Sequence, residues 1–388
     1  MSNGAIAKPC RLCGEQALEV CLRLDNMPHD ISRMLKESEL ADDRPINMTV
    51  YTCQSCGFVQ LTQTLETTYY DDYLMTATHS PQMQEYQSRQ AADFVTDFKL
   101  AGKKIIEVGC GDGNYINWIQ KAGAHPSGIE PSARFRQAAE KLPYPVFGGY
   151  VDRANPIPGA PYDGFVTRQV LEHVPEPNDF LQGIRRSLVP GAAGLVEVPS
   201  LEQALEGRRF YDFFPDHLNY FSARTLRMAL ERNGFQVEEV IRGMHGEYNV
   251  AYVTALAAPD LSEVQTTVDV LAGDIHDFLN RLSKDGKRAA VWGAGGKGLS
   301  LLATAKVRNV AYVVDSDLHK IGRFTPVTHL PVVGPETLRT SPVDAVLVTA
   351  LAYREEILRQ LRVDLGFQGI IALLGPRLEI QEVEMSTR

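Results

Sequence analysis

The sequence contains no uncharged apolar run that approaches the roughly 18 residues of a membrane-spanning helix. Its first residues, MSNGAIAKPC, lack the charged start and apolar stretch of a secretory signal. Basic residues are not in excess, since 39 Lys and Arg face 48 Asp and Glu, for a formal net charge of -9. That balance argues against broad electrostatic binding to nucleic acid or to an anionic membrane. We therefore expect a cytoplasmic protein with a small-molecule substrate, present as a monomer or homodimer.

Disulfides are not expected, because six cysteines in a reducing compartment favour metal ligands, nucleophiles or core residues. Four of them form two CxxC pairs, each followed by a glycine that eases a tight turn: Cys10, Cys13, Cys53 and Cys56. Four thiolates suit a tetrahedral Zn²⁺, and a closed shell of four leaves no position for a reacting water. The pattern predicts a structural zinc site. Reduced core cysteines, a redox pair or an iron-sulfur cluster stay open as alternatives.

The chain is too long for one ordinary core, and its patterns divide it into three regions. We predict a small zinc-binding domain at 1–65, an α/β domain at 66–257, and a bridging helix with a second, smaller α/β domain at 258–388. Apolar strands alternate with helical patterns in both α/β regions, which predicts parallel sheets, with an antiparallel hairpin at the edge of the first. An apolar stripe over 264–282 predicts the bridging helix.

A glycine-rich turn follows the first strand of the larger α/β region, at Gly109, Gly111 and Gly113. Asn114 stands where a dinucleotide fingerprint requires its third glycine, which disfavours a nicotinamide cofactor at this turn. Glu107 offers an acceptor to a cationic amino-acid group, and Glu130, at the end of the next strand, offers one to ribose hydroxyls. Together these residues resemble the Rossmann-like domain of class I S-adenosylmethionine methyltransferases. A structural glycine turn without a ligand is the alternative.

A further segment, residues 168–174, closes the fourth strand at the carboxyl edge of the sheet, where open α/β sheets bind ligands. In the methyltransferase class, segments similar to its Leu-Glu-His-Val line the cofactor cleft. The resemblance implies that Gln169 contacts the cofactor. Glu172 and His173 either lie near the same site or simply begin a helix.

The order of parts, a CxxC/CxxC head, the EVGCGDG turn and a tail containing VWGAGGKGLSLL, resembles the bacterial sugar C-methyltransferases over nearly the full length. Members of that family remove a proton beside the keto group of a nucleotide-linked sugar and methylate the resulting enolate. The resemblance therefore implies S-adenosylmethionine as cofactor, a nucleotide-linked or otherwise anionic substrate, and a general base. N- or O-methylation of a non-sugar metabolite on the same scaffold is the alternative.

Histidines are the candidate catalytic groups. The family's Tyr-x-Glu-His-x-x-Tyr-Phe-Ser segment corresponds to residues 214–222, which keep the histidine, His217, as candidate base and replace the acid by Asp216, a neighbour that could tune it. His245, in a segment that departs from the family's His-Gly-Gly-Ser-x-Arg, and His79, in a tyrosine-rich entry, complete the catalytic set. Each of these histidines has a purely structural role as its alternative.

A second glycine turn, residues 293–298, fits GxGxxG, and Asp315 ends the following strand. By itself this motif is typical of a dinucleotide site, so a nicotinamide-dependent oxidoreductase is a further alternative. We favour substrate binding, with Lys297 and the backbone amides of the turn holding a phosphate or another anionic group. A purely architectural role for this half of the chain also stays open.

Overall fold

The computed structural model describes residues 8–31, 34–63, 80–139 and 142–381, and the chain divides into two compact units, Met1–Ala258 and Pro259–Arg388. The candidate His79 and the tyrosine-rich entry around it lie outside the described residues. Within the described ranges, no helix is both long enough and apolar enough to cross a membrane. Each unit contains its own sheets and hydrophobic core.

The first unit contains eleven strands in its described part: β1 (Leu18–Met27), β2 (Ile46–Cys53), β3 (Val59–Gln60), β4 (Lys104–Val108), β5 (His125–Glu130), β6 (Val146–Gly148), β7 (Tyr162–Arg168), β8 (Leu188–Pro199), β9 (Asn219–Tyr220), β10 (Phe235–Gly243) and β11 (Tyr248–Ala255). Its described helices are α1 (Pro81–Asp97), α2 (Asn114–Lys121), α3 (Ala133–Ala139), α4 (Pro177–Arg186), α5 (Leu201–Glu206) and α6 (Ala223–Arg232).

Seven of these strands form one sheet in the order β10-β11-β8-β7-β4-β5-β6. Strands β4 to β8 run parallel, and β11 runs antiparallel to both β8 and β10. The order reverses beside β4, so the carboxyl ends of β4 and β7 open a crevice at the glycine turn. This sheet is the Rossmann-like arrangement that the sequence predicts, with the expected antiparallel hairpin at one edge.

The cysteine-bearing segment folds onto the larger sheet through a second, four-stranded sheet in the order β1-β2-β3-β9. Strand β3 pairs with β9, so Val59 lies opposite Tyr220 and Gln60 opposite Asn219. Cys10, Cys53 and Cys56 belong to the same hydrophobic cluster as buried residues of the seven-stranded sheet. The N-terminal segment is therefore packed against the residues that follow His217 in the chain.

The second unit begins with a long helix and continues as a six-stranded sheet in the order β14-β13-β12-β15-β16-β17, parallel except for β17. Its described elements are α7 (Ser262–Lys284), β12 (Ala289–Trp292), α8 (Gly296–Thr304), β13 (Val313–Val314), β14 (Val332–Val333), α9 (Thr337–Thr340), β15 (Ala345–Val348), α10 (Arg354–Arg359), β16 (Ile370–Leu373) and β17 (Glu379–Gln381). Helix α7 packs the later part of its apolar stripe, Leu271 to Leu282, into the core of this unit, whereas Val264 at the start of the stripe is exposed. The observed helix contains the whole of the predicted range 264–282, and its bridging role stays a prediction.

Candidate active site

The glycine turn between β4 and α2 has a backbone that favours glycine at three positions. Gly109, Gly111 and Gly113 have φ values of 75°, 53° and 79°, in the left-handed region. A Cβ at Gly109 would lie 2.3 Å from Val170 Cγ2, whereas a Cβ at Gly111 would meet no atom within 4 Å. Close packing therefore requires glycine at 109, and the open face of Gly111 leaves room for a ligand.

Two buried acids flank this turn. Glu130 accepts hydrogen bonds at 2.9 Å from the backbone amides of Gly111 and Ser132, one on each carboxylate oxygen. Glu107 is 4% exposed, and its Oε2 has no hydrogen-bond partner among the described residues. Burial raises the pKa of Glu130, and it raises the pKa of Glu107 to about 8. The glycine turn thus lies between an oriented acid and an unsatisfied one.

A cavity of about 870 Å³ opens at this edge of the sheet. Its volume lies within the range of roughly 300–1,000 Å³ that is usual for small-molecule sites. The predicted residues that line it are Glu107, Gly109, Gly111, Glu130, Gln169 and His217. Gly113 is the residue before α2 and does not line the cavity. The structure therefore brings most of the predicted cofactor residues together with one predicted catalytic histidine.

His217 lies in a buried cluster of titratable groups. Its ring is 4.7 Å from the ring of His173, edge to face, and its Nδ1 has no hydrogen-bond partner among the described residues. Nitrogen or oxygen atoms of Glu172, His173 and His217 all lie within 4.8 Å of one another. Burial lowers the pKa of His173 to about 4 and that of His217 well below its usual value, and it raises the pKa of Glu172 well above its own. Near pH 7 both imidazoles are therefore neutral, and burial favours the protonated form of the Glu172 carboxyl.

The other two catalytic candidates of the described chain differ in their surroundings. Asp216 is fully buried and contacts His173, whose Nδ1 is 2.9 Å from the Asp216 carbonyl oxygen and 3.7 Å from its Oδ2. Asp216 was predicted as a neighbour that could tune His217, and it contacts His173, whose ring packs edge to face against that of His217. His245 is exposed in the turn before β11, 3.0 Å from the side-chain nitrogen of Gln82, and does not line the cavity. The structure therefore does not bring His245 to His217.

Glu172 and His173 occupy a turn after β7 and do not begin a helix, because the next helix, α4, starts at Pro177. Asn219 fixes this turn: its backbone amide donates to the Glu172 carbonyl at 3.0 Å, and its side-chain amide donates to the carbonyls of Leu171 and Val174. The segment that carries His217 is thereby joined to the turn that carries Glu172.

A buried polar network beside the cavity was not predicted from the sequence. Glu197, on β8, accepts from Arg168 Nη2 at 2.6 Å and from Gln169 Nε2 at 3.2 Å on one oxygen. Its other oxygen accepts from Tyr86 at 2.6 Å and Gln90 at 2.8 Å. The one available signal was a single acid inside the apolar run GLVEVP, where a charged residue needs a buried partner.

The cysteine quartet has distances suited to a tetrahedral metal. Cys10 and Cys56 Sγ are 3.7 Å apart, Cys13 and Cys53 Sγ are 3.6 Å apart, and all four lie within 4.8 Å of one another. Zn–S bonds of about 2.3 Å at tetrahedral angles separate sulfur atoms by roughly 3.8 Å. The four side chains therefore fit one Zn²⁺ ion.

The second glycine turn lies between β12 and α8, in the second unit. Gly293 has a φ of 117°, and Lys297 is exposed. Asp315 accepts a hydrogen bond at 2.8 Å from the Ala294 amide and pairs with Lys320 Nζ at 3.1 Å. The carboxylate that a dinucleotide ribose would use is thus already bound to a lysine, so these contacts do not favour the nicotinamide alternative.

Comparison with known proteins places this geometry among methyltransferases. Residues 83–240 match the family model described as a methyltransferase domain, and residues 228–373 match the C-methyltransferase C-terminal domain. The chain is 22% identical to the C-methyltransferase NovU of Streptomyces niveus, covering 95% of this chain and 96% of that protein.

Two other similar proteins align over shorter stretches. A probable S-adenosylmethionine-dependent methyltransferase of Mycolicibacterium smegmatis is 29% identical over 150 residues, 38% of this chain and 58% of that protein. The solved structure of the CcbJ methyltransferase from Streptomyces caelestis aligns with a TM-score of 0.40 and 18% identity, over 50% of this chain and all of that one.

Proposed function

We propose that this chain, an S-adenosylmethionine-dependent methyltransferase of the C-methyltransferase family, methylates a carbon atom of a nucleotide-linked keto-sugar through an enolate. The observation that carries the proposal is the neutral, buried imidazole of His217, which lines the same cavity as the glycine turn. A base beside the cofactor is required for carbon but not for an already nucleophilic nitrogen. Relationship to the named C-methyltransferase over nearly all of both chains supports the same reaction.

The cofactor residues take the following roles in this proposal. The Glu107 carboxylate binds the ammonium group of S-adenosylmethionine, Glu130 accepts the ribose hydroxyls, and Gln169 lines the cavity beside them. Gly109, Gly111 and Gly113 let the backbone approach without a Cβ. When bound, the cofactor supplies an electrophilic methyl group.

The proton is removed by His217. Its neutral imidazole takes the proton from the carbon beside the carbonyl group, and the C–H electron pair moves into the enolate. The protonated carboxyl of Glu172 donates a hydrogen bond to the developing oxyanion, a role that a charged carboxylate could not fill. S-Adenosylmethionine held at the glycine turn would supply its methyl group to the enolate carbon and leave as S-adenosylhomocysteine.

The charges of the lining residues limit how a nucleotide-linked sugar can lie in the cavity. Carboxyl groups outnumber guanidinium groups among the described lining residues, and Arg209 is paired with Asp212 and Glu247. The sugar ring therefore enters the cavity, while the phosphates stay outside this acidic lining. Cys10, Cys13, Cys53 and Cys56 hold a structural Zn²⁺ in the same proposal.

Deuterium exchange tests the proposal. The protein is incubated in D₂O with S-adenosylhomocysteine and thymidine diphosphate 4-keto-6-deoxyglucose, and mass spectrometry follows uptake of deuterium on carbon. We expect exchange in the wild type and a loss of about 10²–10⁴-fold in His217→Asn, because the general base is removed.

His245→Asn is the matched control, since the same substitution is made on an exposed histidine outside the cavity lining. It should leave exchange unchanged. If keto-sugar nucleotides show no exchange in the wild type but S-adenosylmethionine still methylates a nitrogen or oxygen acceptor, the enolate proposal is wrong.

A further inference from the structure

Three ionisable side chains form a row across neighbouring strands at the carboxyl edge of the seven-stranded sheet. Glu107 on β4, Arg168 on β7 and Glu197 on β8 belong to strands that pair in this order. Arg168 lies opposite Glu197 in the β7–β8 register. The side chains of Arg168 and Glu197 are 6% and 0% exposed, and the whole of Glu107 is 4% exposed. A buried row of acid, base and acid is costly unless each charge has a partner.

Arg168 is held rigidly at the middle of this row. Its Nη2 donates to Glu197 Oε1 at 2.6 Å, and its guanidinium lies 4.4 Å from the centre of the Tyr115 ring. Glu197 is itself fixed by Tyr86 and Gln90 on its other oxygen. The guanidinium is planar, and its contacts with Glu197 and Tyr115 occupy one edge and one face. Its other N–H groups therefore point in a fixed direction.

One of those remaining donors has no partner in the part of the chain that the structure describes. Arg168 Nε is buried without a hydrogen-bond partner among the described residues, and so is Glu107 Oε2. Both residues line the cavity, yet they form no ion pair with each other. A guanidinium N–H and a carboxyl oxygen that both lack a hydrogen-bond partner in one cavity favour a ligand that brings one negative and one positive group. A zwitterionic α-amino acid has that charge pattern.

We infer that Arg168 binds the carboxylate of the cofactor's amino-acid end, opposite Glu107, which binds its ammonium group. Glu197 and Tyr115 are positioning residues that hold the guanidinium in place. Glu130 lies across the glycine turn from Glu107. The nucleoside end of the cofactor would therefore lie on the Glu130 side of the turn. This assignment concerns the cofactor and does not depend on the identity of the methyl acceptor.

Isothermal titration calorimetry with a set of nucleosides tests the assignment. S-Adenosylhomocysteine has both groups, 5′-(3-aminopropylthio)adenosine keeps only the ammonium, 5′-(3-carboxypropylthio)adenosine keeps only the carboxylate, and 5′-methylthioadenosine has neither. We expect the wild type to bind S-adenosylhomocysteine about 10- to 100-fold more tightly than the aminopropyl compound, the usual effect of a hydrogen bond between charged groups. Equal affinity for these two ligands would overturn the inference without any mutant.

Arg168→Gln identifies the residue. It should weaken S-adenosylhomocysteine about 10- to 100-fold and leave the aminopropyl compound unchanged, because only the carboxylate contact is lost. Since this variant leaves Glu197 buried without its cation, Arg168→Gln/Glu197→Gln is measured beside it, with thermal unfolding as the check of folding. Equal weakening of both ligands in the folded double variant would show a merely structural role.

Arg209→Gln is the matched control, because Arg209 lines the same cavity and pairs with Asp212 and Glu247. It should leave the affinity ratio of the two ligands at its wild-type value. If Arg209→Gln reduced the affinity ratio of the two ligands as much as Arg168→Gln does, the inference would have named the wrong arginine. Because no acceptor is present in these titrations, failure here and failure of the keto-sugar proposal are separate results.

Discussion

The protonation state of Glu107 makes the affinity of the cofactor site depend on pH. Burial raises the pKa of its carboxyl group to about 8, although the charge of Arg168 opposes the rise. Near pH 7 the group is therefore mostly protonated in the free protein. An ammonium group bound beside it favours the charged carboxylate and lowers that pKa.

We expect S-adenosylhomocysteine to release close to one proton per site when it binds at pH 7, and its affinity to rise as the pH approaches about 8. Calorimetry in phosphate and in Tris measures this release, since the two buffers have different ionisation enthalpies. In Glu107→Gln this carboxyl is absent, so most of the difference in binding enthalpy between the two buffers should be lost. A wild-type enthalpy that did not depend on the buffer would contradict the prediction.

Individual site residues differ in how far the sequence predicts them. Glu107 and Glu130 stand at fixed distances from a glycine motif, so their positions follow from local spacing. Glu197 has no such motif, and its contact with Arg168 depends on the pairing of two strands. His245 was predicted from a short resemblance, but the hairpin turn exposes it outside the cavity.

At the scale of elements, strand β8 is longer than the sequence indicates. The apolar run predicts a strand over 194–199, because Pro190 and Gly191 are typical of a turn. The observed strand begins at Leu188, which pairs with Tyr162 of β7 before a register shift. Long-range pairing therefore extends the strand through residues that locally favour a turn. The stripe that predicts α7, in contrast, is a local pattern and gave the helix to within two residues at each end.

Two glycine substitutions test the packing of these elements. A Cβ at Gly194 of β8 would lie 2.0 Å from Phe165 Cε1, whereas a Cβ at Gly273 of α7 would meet nothing within 4 Å. We expect Gly194→Ala to lower the free energy of unfolding by about 1–3 kcal/mol, and Gly273→Ala to raise it by about 1 kcal/mol, because alanine favours a helix.

Each unit contains one tryptophan, Trp118 in the first and Trp292 in the second, so denaturant unfolding can be followed for each by fluorescence in a background that lacks the other. Gly194→Ala should shift only the first transition and Gly273→Ala only the second. Destabilisation by Gly273→Ala would mean that this face of α7 is covered in the folded protein.

At the scale of the whole molecule, the cysteine quartet and the candidate base are parts of one packed structure. Strand β3, directly after Cys56, pairs with β9, directly after His217. Leu61 donates its backbone amide to the Leu218 carbonyl at 2.9 Å, and the Gln63 side chain donates to the Pro215 carbonyl at 2.6 Å. A metal that stabilises the N-terminal segment would therefore also stabilise residues 214–220.

We expect the purified protein to contain about one zinc ion per chain by elemental analysis. Cys53→Ser should lose the metal and lower Tm by roughly 10 °C, because metal binding contributes folding free energy. Hydrogen exchange should also become faster in residues 214–220. Cys21→Ser is the matched control, since Cys21 is exposed and outside the quartet. A metal-free wild type with the same Tm would contradict the zinc assignment, and unchanged exchange in residues 214–220 would contradict the coupling.

The sequence by itself determined the features that a few neighbouring residues encode. The positive φ values at Gly109, Gly111 and Gly113, the two CxxC pairs and the alternation of strands with helices all follow from local backbone preferences and periodic burial. The three glycines together with Glu107 and Glu130 resemble the class I methyltransferase domain, and residues 83–240 match a methyltransferase domain model.

Tertiary structure alone decided which distant side chains meet. Arg168 reaches Glu197, Asp216 contacts His173, and Asn219 fixes the turn at Glu172, each across 29 to 47 residues of sequence. Such pairs depend on strand register and on the cost of burying a charge without a partner, and neither quantity is a property of a short window. For that reason the glycine turn could be predicted from the sequence, but the charge row beside it could not.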